Sequence, residues 1–102
     1  MYKLVALFTR PADSEAFDAG FNIFLPLADA LPGLRKVVVS HAHGGPEGGT
    51  SYHLMHELLF DDLAAVREAM ASEAGLAAAR QLWAFAAENV TLFFADHLEE
   101  ER

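Results

Sequence analysis

No cysteine occurs anywhere in the 102 residues, which excludes a disulfide framework and thiolate chemistry. Positive charge is also scarce. Seven Lys and Arg stand against fifteen Asp and Glu, for a formal net charge of −8. Such a surface repels phosphate backbones and anionic lipid, and no basic stripe offsets it, so neither a nucleic-acid nor a membrane partner is expected. No segment approaches the ~20 apolar residues of a membrane span. The opening stretch Tyr2–Thr9 meets Arg10 before a signal-type apolar segment of ordinary length forms, so a cytoplasmic location is expected. Repeats and long linkers are missing too. A single domain over residues 1–96 is expected, with a solvated acidic tail at 97–102.

Apolar residues are abundant, at 53% of the chain. That suffices for one core at this length, without much to spare. "YKLVALFT" is a near-continuous apolar run and reads as a central strand buried on both faces. "PADSEAFDAGF" then opens a helix, with Asp13 or Ser14 as N-cap and Glu15 favourable in the first turn. Phe17, Phe21, Phe24, Ala28 and Leu31 recur at helical spacing. Pro26 lacks a backbone donor and clashes with the carbonyl four residues back. The expectation is a helix from Ser14 to Phe24, a bend, and a shorter helical piece from Pro26.

Leu34–His43 is β-branched and strand-like, Gly44–Thr50 is a flexible turn, and Ser51–Phe60 is a second strand, together a hairpin. "DDLAAVREAMAS" starts another helix with an Asp cap and a stripe of Leu63, Val66 and Met70. A restart capped by Ser72 places Leu76, Ala79 and Trp83 on one side. Asn89–Asp96 is the last strand. The order β-α-β-β-α-β is that of a ferredoxin-like α+β fold: a four-stranded antiparallel sheet with its helices on one face. Parity in the third strand sends Tyr52, Leu54, His56, Leu58 and Phe60 towards the helices, and His53, Met55, Glu57 and Leu59 away. Val5, Leu7, Met55 and Leu59, with Val38 and Phe93, then form an uncovered apolar face of several hundred square ångströms, by order of magnitude. A homodimer packed through that sheet face resolves the exposure. Glu57, on the same face, calls for a cationic partner among Lys3, Arg35 and Lys36.

Four stretches, "YKLVALFTRPADSEAFDAGF", "PLADALPGLRKVVVS", "YHLMHELLFDD" and "AMASEAGLAAARQLWAFA", in this order and spacing resemble the small EthD-type proteins of the dimeric α+β barrel superfamily. The resemblance runs from about Tyr2 to Phe94. It implies a dimer of ferredoxin-like chains whose ligand sits between sheet and helices within one subunit. Relatives in the superfamily include metal-free cyclases, isomerases and monooxygenases acting on aromatic or polyketide-like compounds. The family usually carries His-x-Pro-Leu at the first helix, where this chain reads Phe24-Leu25-Pro26-Leu27. Phe24 can neither give nor take a proton.

His56, where family members tend to carry a small residue, offers to return an imidazole from the opposite wall; a hydrogen-bonded core histidine is the plainer reading. The candidate pocket comprises Phe8, Phe21, Phe24, His41, Tyr52, Leu54, His56, Leu58, Trp83 and Phe85, with His56 as the candidate acid–base group. His41 and His43 share a strand face and could reach one ion, but no acid completes a set, and no metal or other cofactor is expected. Gly44-Gly45 and Gly48-Gly49 lack the strand–loop–helix setting of a phosphate loop. Two functions follow. One is a non-catalytic or accessory protein binding a small apolar or aromatic metabolite. The other is a cofactor-free isomerase, cyclase or monooxygenase-type enzyme using His56, helped by His41 or Tyr52.

Overall fold

The computed structural model describes all residues, 1–102. Its elements are β1 (Tyr2–Thr9), α1 (Ser14–Asp29), β2 (Lys36–His41), β3 (Tyr52–Phe60), α2 (Leu63–Ala71), α3 (Glu73–Ala86) and β4 (Val90–Asp96). The strands form one antiparallel sheet in the order β2-β3-β1-β4. This is the ferredoxin-like arrangement expected. The core lies between one sheet face and the helices, and Phe8, Phe17, Phe21, Phe24, Leu58 and Phe60 are among its largest members. The stripe Phe17, Phe21, Phe24, Ala28 and Leu31 is buried throughout.

Local chemistry explains the element ends. Asp13 caps α1 by accepting from the Ala16 N–H, and Asp62 caps α2 by accepting from Ala65. Ser72 ends α2 and caps α3 through Gly75, so the second helical stretch is two helices. Gly75 has to be small there. A Cβ would run into the carbonyl oxygens of Ala69 and Met70. Gly20 plays the same part between α1 and α3, where its missing Cβ makes room for the Phe85 ring. Gln81 Nε2 donates to the Gly20 carbonyl at 3.0 Å and ties the two helices together.

Two expectations need correction. The helix is not broken at Pro26, and α1 runs as one helix from Ser14 to Asp29. Pro26 and Asn22 are both exposed. The carbonyl that Pro26 leaves unpaired therefore faces water, and the helix continues. Tyr52 does not face the helices. The β1–β3 register shifts between Phe8, opposite Leu54, and Thr9, opposite Tyr52. This bulge turns Tyr52 outward to 49% exposure and brings the His53 ring within 5.2 Å of Phe17. The glycine-rich turn is organised, with Gly45 and Gly48 exchanging backbone hydrogen bonds of 2.7 and 3.1 Å around Pro46-Glu47. The tail is exposed from Leu98 onward and also makes surface contacts. The His97 N–H donates to the Met1 carbonyl at 3.0 Å, and Glu99 meets both His97 (2.6 Å) and Lys36 (3.4 Å). The tail therefore reaches from the β4–β1 edge to β2.

On the face without helices, Val5 and Leu59 are buried rather than open, while Leu7, Val38 and Met55 are half-buried and Phe93 is 43% exposed. Lys3 Nζ meets Glu57 Oε1 at 2.5 Å in the middle of this face, which supplies the cation that the carboxylate requires. Arg35 instead pairs with Asp61 in a two-pronged contact at 3.0 and 3.2 Å.

Candidate functional site

A cavity of about 260 Å³ lies between the sheet and the helices. Its floor is Leu4 and Ala6 of β1, His56 and Leu58 of β3, and Leu92 of β4. Phe24, Ala28 and Leu31 close one side, and small residues of α3 (Gly75, Ala78 and Ala79) leave the space open on the other. Met70, Ala79 and Trp83 line the cavity and are also exposed, so they mark its mouth. His56 and, at the mouth, the indole N–H of Trp83 are the polar groups among the fourteen lining residues.

The sequence candidates divide into four groups. Phe24, His56, Leu58 and Trp83 line the cavity. Phe8, Phe21 and Leu54 are buried in the adjoining core without reaching the cavity wall. Phe85 is spent on the contact with Gly20 and borders a separate outer groove with Thr9, Arg10 and Glu88. His41 and Tyr52 are exposed and lie away from the cavity. The hairpin register pairs His41 with Leu54 and Val39 with His56. His41 and His43 are exposed, His53 packs on Phe17 and His56 is buried, so the histidines do not converge. Beyond Trp83, the α3 contribution of small residues is absent from the sequence candidates. The run "GLAAAR" carries it, because small side chains on a core-facing helix leave volume unfilled.

His56 is 1% exposed, and its Nε2 has no hydrogen-bond partner. The Phe21 and Phe24 rings stand nearly perpendicular to it, at centroid distances of 5.6 and 5.5 Å. Burial pushes the imidazole down to about 4, against the upward pull of the Asp29 and Glu57 carboxylates. At neutral pH the ring is uncharged, with one N–H donor and one acceptor nitrogen.

No family model matches the chain. An uncharacterized 11.0 kDa protein of the thcB–thcC intergenic region of Rhodococcus erythropolis is 28% identical over 97 residues, covering 94% of each chain. A dimeric protein of unknown function and ferredoxin-like fold from Bacteroides fragilis superposes with a TM-score of 0.69 at 22% identity, over 94% of this chain and 95% of that one. The crystal structure of an ethyl tert-butyl ether D (EthD) family protein from Bacillus halodurans superposes with a TM-score of 0.92 at 35% identity, over 96% of this chain and 99% of its own. With that identity spread over nearly the whole of both chains, the protein belongs to the EthD family.

Proposed function

We propose that the protein is a small dimeric binding protein that holds one compact apolar or aromatic metabolite between sheet and helices, as an accessory component rather than a catalyst. The observation that carries this reading is the cavity: about 260 Å³, twelve of fourteen lining residues hydrophobic, and a mouth at Met70, Ala79 and Trp83. An apolar cavity of about 150 Å³ holds a benzene, so this one suits roughly one or two fused rings. Against catalysis stands the scarcity of groups. Phe24 occupies the position where the family's His is expected. The one imidazole present, with its pKa at about 4, is a weak base at neutral pH. The dimer is supported by the exposed Phe93 on the helix-free face and by the dimeric Bacteroides fragilis neighbour.

The test is a titration of naphthalene into isotopically labelled protein. Saturable shifts are expected at the Ala78 and Leu82 amides and at the indole N–H of Trp83, the only tryptophan. Ala79→Phe plugs the mouth from an exposed position and should weaken binding at least about tenfold. An absence of saturable shifts, or an unaffected plugged variant, defeats the reading. A second reading, a cofactor-free enzyme using His56, is favoured by one observation: a buried, unpartnered imidazole on the cavity wall. Turnover abolished by His56→Phe while ligand affinity persists would decide for it.

A further inference from the structure

The cavity wall is not uniformly apolar, and its one buried polar side chain is in an unusual state, whereas the Trp83 indole sits at the exposed mouth. His56 is buried and its Nε2 lacks any partner, although buried polar nitrogens in folded proteins are nearly always paired. The neighbours cannot repair this. Phe21 and Phe24 flank the ring, and the remaining side chains around the cavity are aliphatic or aromatic. The ring is held by packing rather than by hydrogen bonds. His56 is one of the residues lining the cavity, so a ligand held there lies against the ring.

Charge around the site narrows the ligand further. Asp29 at the end of α1 and Glu57, next to His56 in β3, both exert a negative field on the imidazole. Glu57 is already paired with Lys3 on the other sheet face, and no lysine or arginine lines the cavity. A carboxylate or phosphate drawn into this space would lose its hydration and meet no cation. An uncharged hydroxyl would meet the neutral imidazole, which can accept a hydrogen bond through one nitrogen or donate through the other.

We infer that the site selects an uncharged aromatic ligand bearing a single hydroxyl, which His56 recognises by a hydrogen bond, and that it rejects the corresponding carboxylate. This inference rests on the cavity being the binding site and adds the class of compound that the cavity takes. It runs against simple hydrophobicity. A hydroxyl makes a compound more soluble in water, so without a partner in the cavity the hydroxylated compound would bind more weakly than the bare hydrocarbon.

Calorimetric titration of naphthalene, 1-naphthol and 1-naphthoate at pH 7 tests it. The full-length protein should bind 1-naphthol about tenfold more tightly than naphthalene, because pairing a buried unsatisfied group restores what its desolvation had cost. Binding of 1-naphthoate should be at least about tenfold weaker than that of naphthalene. In His56→Phe, naphthalene should still bind, and the preference for 1-naphthol should fall to within about twofold. Equal wild-type affinities for naphthalene and 1-naphthol, tight binding of 1-naphthoate, or a preference that survives in His56→Phe each overturns the inference while leaving the cavity as a binding site. Failure of all three compounds to bind removes the cavity reading and this inference together. The wild-type ranking decides even if the variant does not fold.

Discussion

The rings of Phe24 and His56 face one another across the first helix and the sheet, centroids 5.5 Å apart and 74° between their planes. The edge-to-face contact fixes an imidazole that no hydrogen bond to Nε2 restrains. Replacing His56 with Phe keeps the ring and removes the unsatisfied nitrogen. The variant should be more stable by about 1–3 kcal/mol at pH 7, read as a higher denaturation midpoint with an unchanged slope in urea.

Acid should reveal the same group. Burial lowers the folded-state pKa of His56 to about 4, from the ordinary imidazole value of 6.5. Between those values the unfolded chain binds the proton and the folded chain does not. Stability therefore rises with pH through this window and is lost as pH falls from about 6.5 to about 4. Above the window both states are neutral, and the group contributes no pH dependence. The shift corresponds to about 3 kcal/mol by linkage, to order of magnitude. Denaturation of wild type and His56→Phe at a series of pH values should diverge by about that much between pH 7 and pH 4. Parallel curves would show that the imidazole protonates freely in the folded state.

Lys3 and Glu57 meet at 2.5 Å on the helix-free face, both mostly covered. Lys3→Met should cost about 2–3 kcal/mol, because it strands a carboxylate among apolar neighbours. Pairing it with Glu57→Leu should recover most of that loss. A double-mutant cycle by urea denaturation checks both statements, and a near-zero coupling energy would contradict them.

Phe93 should be the test of assembly. Light scattering at micromolar concentration should give about twice the chain mass for the wild type. Phe93→Asp should give the monomer mass, since it places a charge on the face assigned to the partner copy. A wild-type monomer would remove the dimer from the proposed function.

Pro26 should be replaceable. Pro26→Ala restores an N–H inside an unbroken helix, and the gain should be about 1–2 kcal/mol, less than the full helical penalty because the looser unfolded chain offsets part of it. Thermal unfolding should show a rise of several degrees.

The fold was legible because its signals are local and repeated. The phenylalanine stripe of α1 and the β-branched run before the glycine turn depend only on their own periodicity. Pro26 misled because proline's cost depends on whether the abandoned carbonyl faces water, and that is a tertiary fact. The bulge beside His53 left no mark in the pattern, so Tyr52 was assigned to the wrong face. For the site, alternation along β3 was enough to place His56 among helix-facing residues. The volume in front of it was not readable, because it arises where α3 presents Gly75, Ala78 and Ala79 while Gly20 and Phe85 set how closely the two helices approach. Phe85 reads the same as a lining aromatic in sequence, yet its ring is consumed by that contact.

The hydrogen bond from the His97 N–H to the Met1 carbonyl has a practical consequence for handling the protein. Both chain ends leave from the same corner of the sheet, next to the tail that reaches Lys36. A purification tag at either terminus would start beside the contacts of His97 with Met1 and of Glu99 with Lys36, and could disturb them. The turn at Gly45-Pro46-Glu47-Gly48 sits at the other end of the β2–β3 pair, is exposed, and closes on its own hydrogen bonds. It is the place to attach a fluorophore or an affinity handle if mass and ligand binding are to be measured on an undisturbed molecule.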